Sequence, residues 1–178
     1  MSSTSVQLVM TVIGRDRPGL VERLSRQVEE HGGNWLESRM AHLASYFAGV
    51  LRVEVPEDRL AALRERLEGM SAEGLQMTLQ QASDVPVQAR RRRALLEVTG
   101  YDRPGIVRAV TSALAARGVN IDELETELAG APMSGTPTFH ARAILHLPED
   151  LTVRALSEAL EIIGSDLMVD IELDESEA

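Results

Sequence analysis

The sequence has no cysteine and no lysine, and its aromatic residues are two phenylalanines, two tyrosines and one tryptophan. Without cysteine there are no disulfides, thiolate metal sites or thiol nucleophiles, and the redox compartment is left open. No window holds the roughly 18–20 uninterrupted apolar residues of a membrane-spanning helix. The start, Met1-Ser2-Ser3-Thr4-Ser5, has no basic stretch, long apolar core or cleavage-like segment, so a soluble, cytoplasmic protein is expected. Also missing are a Gly-x-Ser-x-Gly elbow, a Walker loop and a dinucleotide-type Gly-x-Gly-x-x-Gly. What is present is 178 residues with 44% hydrophobic content, enough to bury one ordinary core or two small ones.

The basic residues are all arginine, and the net charge is −10. Residues 1–86 hold 9 Arg against 12 Asp or Glu, and residues 94–178 hold 5 against 16. Nucleic-acid binding rests on cationic side chains displacing counterions from phosphates, so direct nucleic-acid binding is not expected. The run Arg90 to Arg93 is the exception, and it reads as a solvated linker or a strand entry before it reads as an anion-binding patch.

The strongest internal signal is a repeat. Gly14-Arg15-Asp16-Arg17-Pro18-Gly19-Leu20-Val21 aligns with Gly100-Tyr101-Asp102-Arg103-Pro104-Gly105-Ile106-Val107 at an offset of 86. The same offset carries Leu24 to Val110, Val28 to Leu114, Gly32 to Gly118 and Asn34 to Asn120. Farther on it becomes 92, pairing Phe47 with Phe139, Pro56-Glu57-Asp58 with Pro148-Glu149-Asp150, and Leu75, Met77, Leu79 with Leu167, Val169, Ile171. Six extra residues therefore lie between Asn120 and Phe139, where Gly130 to Pro137 is dense in turn formers and reads as a long hairpin loop.

Within each copy the hydrophobic period switches in a fixed order. A short apolar run (Val6 to Ile13; Leu95 to Thr99) predicts a buried strand. A helix follows, with Pro18 or Pro104 in its first turn, one apolar stripe, and Gly32 or Gly118 at its end. Two paired strands come next, then a helix on Leu60, Leu63, Leu67 or Val153, Leu156, Leu160, then a closing strand. The order βαββαβ predicts an α+β fold: two tandem ferredoxin-like units, each an antiparallel sheet with both helices on one face. The expected division is residues 1–86, a basic linker at 87–93, and residues 94–178 ending in a disordered acidic tail from Asp174 to Glu177.

The repeated Asp-Arg-Pro-Gly turn delivers a strand to a helix N-terminus, whose free N–H groups suit a carboxylate. Gly19 and Gly105 lack a Cβ and permit close approach of a ligand or another backbone. Asp16 and Asp102 are placed to cap the helix, or to meet an α-ammonium group beside that anion cradle. Asn34 and Asn120 either end the helix or add an amide that donates and accepts at once.

The succession strand, Asp-Arg-Pro-Gly-Leu/Ile-Val, helix, Gly-x-Asn, strand resembles the ACT domain, a ligand-binding regulatory module. In that family the turn and the start of the second strand, contributed by two neighbouring domains, form an amino-acid effector site. The resemblance implies ligand-binding roles for Asp16, Arg17, Gly19, Leu20 and Asn34, and for Asp102, Arg103, Gly105, Ile106 and Asn120. A tandem pair with a longer second hairpin and no attached enzyme resembles the glycine cleavage system transcriptional repressor family. That implies a non-enzymatic, homo-oligomeric regulator that senses a small amino acid, glycine or serine, and acts through a partner such as a transcription factor. The alternatives are a subunit that controls a metabolic enzyme directly and a ligand-free dimerisation module. Trp35, where an aliphatic residue is usual, makes functional asymmetry between the copies the expectation.

No metal or cofactor is expected. His140 and His146 are six residues apart on one strand, about 20 Å, and His31 and His42 have no ligand-like spacing with them. The carboxylates Asp122, Glu123, Glu125 and Glu127 read as a solvated strand face rather than an acid–base pair.

Overall fold

A computed structural model describes residues 4–82, 92–130 and 137–176. The chain divides into two compact units, residues 1–85 and 86–178. The first contains β1 (Ser5–Arg15), α1 (Leu20–Glu30), β2 (Asn34–Leu43), β3 (Tyr46–Pro56), α2 (Leu60–Gly69) and β4 (Leu75–Gln81). The second contains β5 (Arg92–Tyr101), α3 (Ile106–Ala115), β6 (Asn120–Ala129), β7 (Thr138–Leu147), α4 (Val153–Leu167) and β8 (Val169–Ser176). Every strand pairing is antiparallel, and the sheet orders are β2-β3-β1-β4 and β6-β7-β5-β8. The anticipated βαββαβ unit is thus present twice.

Strand alternation decides which face holds the core. Leu8, Met10 and Val12 of β1 are buried with Leu51, Val53 and Val55 of β3, against Leu20, Leu24 and Val28 of α1 and Leu63 and Leu67 of α2. The intervening Thr11 and Ile13 stay exposed on the face without helices. The second core repeats this with Ala94, Leu96 and Val98 under Ile106, Val110, Leu114, Leu156 and Leu160. Burial of a large aliphatic side chain contributes about 1.5–3 kcal/mol, so each unit holds a sufficient core of its own. Trp35 packs partly buried against the first core, as Ile121 does against the second, so its unusual size is absorbed by packing.

Several sequence expectations change. The first helices start at Leu20 and Ile106, so Pro18 and Pro104 lie ahead of them, because Gly19 and Gly105 supply the redirecting N-cap instead. The linker cannot extend to residue 93: Arg92 and Arg93 pair with Leu147 and His146 inside the sheet. The acidic end is not a tail from Asp174, since Asp174, Glu175 and Ser176 pair with Leu95, Ala94 and Arg93 in β8. Arg92 Nη1 lies 3.7 Å from Glu175 Oε1, so the basic and acidic runs neutralise one another locally.

The last strand is also shifted. Gly14 pairs with Leu75 and Gly100 with Val169, so Leu75 corresponds to Val169, and Leu167 ends α4 instead of entering the strand. In the first unit α2 stops after 10 residues and passes into a 3-10 turn at Met70–Glu73, whereas α4 continues for 15 residues. Thr152 Oγ1 caps α4 by accepting from Ala155 N, 3.2 Å away, and Met168 ends it in a left-handed conformation. The hairpins differ as anticipated in length: Leu43 pairs with Tyr46 across two residues, Ala129 with Thr138 across eight. Residues 131–136 of that longer connection lie outside the described residues.

Candidate functional site

Each unit offers two ends. At the first, β1 or β5 hands the chain to a helix N-terminus. Gly19 (φ 88°) and Gly105 (φ 101°) adopt the left-handed conformation, which an L side chain enters only at a cost. Their carbonyls accept the first helical bonds, from Arg23 N at 3.0 Å and Ala109 N at 2.9 Å. A Cβ built on either glycine meets nothing within 4 Å, so the space above the turn is open. Neither helix receives a side-chain cap. Asp16 and Asp102 therefore do not cap, contrary to one reading of the sequence. The Asp16 amide donates to Ser45 O at 3.0 Å and the Asp102 amide to Pro137 O at 3.1 Å, which holds both residues against their hairpins. The Asp16 carboxylate is exposed, with His42 Nε2 at 3.8 Å.

The flanking residues divide by role. Arg17 and Arg103 are exposed, and Arg103 Nη2 reaches the Met168 sulfur at 3.8 Å. Leu20 and Ile106 have side chains 3% and 2% exposed, so they anchor the helices in the cores and present only backbone N–H groups at the turn. Uncapped N–H groups, the positive end of a helix and an open approach are the features that suit a carboxylate.

Asn34 and Asn120 lie elsewhere. Asn34 pairs with Glu54, which pairs with Gln7 at the start of β1, nine residues before Asp16. Asn120 pairs with His146, which pairs with Arg93, nine residues before Asp102. At the rise of an extended strand that separation is about 30 Å. Asp16, Arg17 and Gly19 come together within one unit, as do Asp102, Arg103 and Gly105, but neither group meets its own asparagine. A single unit therefore does not bring its turn and its asparagine to one small molecule.

The asparagine end of the second unit carries side chains that motif reading passed over. Asn120 Nδ2 donates to Asp122 Oδ1 at 3.0 Å, and His146 Nδ1 lies 3.0 Å from Asp122 Oδ2. Arg93 Nε donates to His146 Nε2 at 3.2 Å, with Arg93 Nη2 4.0 Å from Asp122 Oδ2. The available signal was the difference between copies: Asn-x-Asp at residues 120–122 against Asn-x-Leu at 34–36.

The other candidates separate cleanly. Glu97, Glu125, Glu127, Asp170 and Glu172 line a shallow trough on the helix-free face of the second sheet, with His140 and Arg142. Arg142 Nε is 3.9 Å from Glu97 Oε1, and no acid–base pair is isolated from solvent there. Among the described residues no group of three or more His, Asp or Glu is arranged to hold a metal ion. His31 Nδ1 instead lies 2.7 Å from Gln27 O at the end of α1. Among the described residues no helix is long and apolar enough to cross a membrane.

ACT domain models match residues 6–80 and residues 94–161. Over 166 residues, 93% of this chain and 87% of the relative, the sequence is 24% identical to the glycine cleavage system transcriptional repressor of Escherichia coli (strain K12). A crystal structure of an unknown protein from Galdieria sulphuraria superposes with a TM-score of 0.83 at 34% identity, covering 98% of this chain and 100% of that one. A structure described as a candidate glycine cleavage system transcriptional repressor shares the fold at a TM-score of 0.74 and 20% identity, covering 99% and 100%. The two family matches fall in succession on the two βαββαβ units, and the chain belongs to the ACT-domain family, with two ACT domains in tandem.

Proposed function

We infer that this protein is a non-enzymatic regulator that binds a small amino acid, glycine or serine, and transmits its presence through a partner protein, a transcription factor being the leading class. The observation that carries the reading is the pair of uncapped helix N-termini beneath open glycine turns. An α-carboxylate fits that cradle by charge and by hydrogen bonding. Asp16 and Asp102, exposed beside it, complement an α-ammonium group. Likeness to a repressor over 93% of the chain supports the regulatory role. Each turn lies about 30 Å from its own asparagine, so one unit alone does not bring both to one ligand, and a homo-oligomer is the expected form.

The partner is expected to be a protein. The chain carries a net charge of −10, and the described residues of its basic run are engaged, Arg92 with Glu175 and Arg93 with His146 and Asp122. A thermal-shift panel of amino acids tests the ligand. A native-state binder present at 100 times its dissociation constant adds about 2.7 kcal/mol of stability, so a rise of several degrees is expected with glycine or serine. An unchanged melting temperature across the whole panel removes the ligand reading. Co-purification then distinguishes partners: a transcription factor supports the reading, and a metabolic enzyme replaces its last step.

A further inference from the structure

The two units share a β-bulge at the start of the edge strand, between Trp35 and Glu37 in the first and between Ile121 and Glu123 in the second. A bulge inserts one unpaired residue and re-aims its side chain. In the first unit that residue is Leu36; in the second it is Asp122. The carboxylate so placed engages both neighbours at once, Asn120 Nδ2 through Oδ1 and His146 Nδ1 through Oδ2, each at 3.0 Å. Arg93 donates to His146 Nε2, so the imidazole offers its Nδ1 proton to Asp122 and the chain of bonds has one direction. Asp122 and His146 are about a quarter exposed, at 22% and 27%, which shields the pair from full competition by water. At the corresponding positions the first unit has Gln7, Leu36 and Glu54, and it cannot form the same chain.

We propose that Asp122, oriented by His146 and Arg93, is a positioning residue for amino-acid binding in the second unit alone, fixing the Asn120 amide through one of its two N–H groups so that its carbonyl oxygen is presented to the ligand's ammonium group. This rests on the amino-acid-binding reading above and deepens it. A free asparagine amide is ambivalent, because its oxygen accepts and its nitrogen donates. Holding one N–H on a carboxylate orients the amide with its oxygen outward, and an ammonium group donates to that oxygen with a full positive charge where the hydroxyl of a hydroxy acid donates as a neutral group, which favours the amino acid. Asn34, with Leu36 two residues on, has no such selection.

Calorimetric titration of the full-length protein with glycine, L-serine and glycolate tests this, together with nitrogen-15 spectra of the Asn120 side-chain amide. In D122L, which installs the first unit's residue, affinity for glycine or serine is expected to fall about tenfold, while glycolate binding, made through a neutral hydroxyl, falls less. D122N, whose side-chain oxygen still accepts from Asn120, should restore affinity to within about threefold of the original. The Asn120 amide protons should move upfield in D122L and return in D122N, a readout that general destabilisation does not reproduce. D122A replaces D122L if the leucine variant does not fold. Undiminished glycine and serine affinity in D122L, or Asn120 resonances indifferent to it, overturns the proposal and leaves amino-acid binding intact. Binding of neither amino acid to the unsubstituted protein removes the underlying reading and the proposal with it.

Discussion

At the scale of single residues, the turn glycines are held by backbone conformation alone. Gly105 sits at φ 101° with no atom within 4 Å of a built Cβ, so an added methyl group clashes with nothing beyond its own backbone. The left-handed conformation costs an ordinary residue about 1–2 kcal/mol, and Gly105→Ala is expected to lower stability by that amount in urea unfolding. Gly100→Ala is a different case, because its Cβ would lie 2.6 Å from Val169 Cγ1 and force β5 and β8 apart. The residue pattern made Gly19 and Gly105 legible as special positions, since only a repeated Pro-Gly before an apolar stripe marks the turn twice. It did not reveal that Asp16 and Asp102 leave the helix uncapped. A side chain four residues before a helix has the right chemistry for a cap, and only the path of the turn decides whether it arrives.

At the scale of elements, the first hairpin turns tightly through two residues with positive φ, Ala44 at 48° and Ser45 at 68°. Two-residue turns of this kind favour Asn-Gly, because both central positions are left-handed. Replacing Ala44 by Asn and Ser45 by Gly is expected to stabilise the first unit by about 1 kcal/mol, a rise of about 4–8 °C in its melting temperature. A loss of stability on that double replacement would contradict the turn geometry. The six-residue difference between hairpins was readable from the alignment of Asn34 with Asn120 and Phe47 with Phe139. The final strand was harder. Leu167, Val169 and Ile171 alternate like a strand, yet Leu167 also falls seven residues after Leu160 and so continues the helical stripe of α4. Where the two periods agree at a boundary, sequence cannot choose; the cap at Thr152 and the left-handed Met168 fix the helix length instead.

At the scale of the whole molecule, duplication has preserved the fold while the surfaces have diverged. On the helix-free face, β1 and β4 of the first unit meet through Thr11 and Thr78, whose hydroxyls are in contact, while the second unit sets Thr99 beside Asp170 there and Glu97 beside Glu172. With a net charge of −10, the purified protein should not be retained on duplex DNA even at low salt. An electrophoretic mobility shift that weakens on neutralising Arg90 to Arg93 would reverse that expectation. The candidate site was only half legible at this scale. Its residue types repeat in sequence, but that turn and asparagine sit at opposite ends of a unit follows from the strand register, to which no local motif refers.

That separation governs how ligands are counted. Under the proposed function each unit would offer its turn at one end and its asparagine at the other, so the number of complete sites would be set by junctions rather than by copies of the motif. A two-fold junction of like units completes two sites by symmetry, whereas an open head-to-tail row always leaves one half-site unmatched at each extremity. On that proposal, the molar ratio of amino acid to chain at saturation would report assembly symmetry.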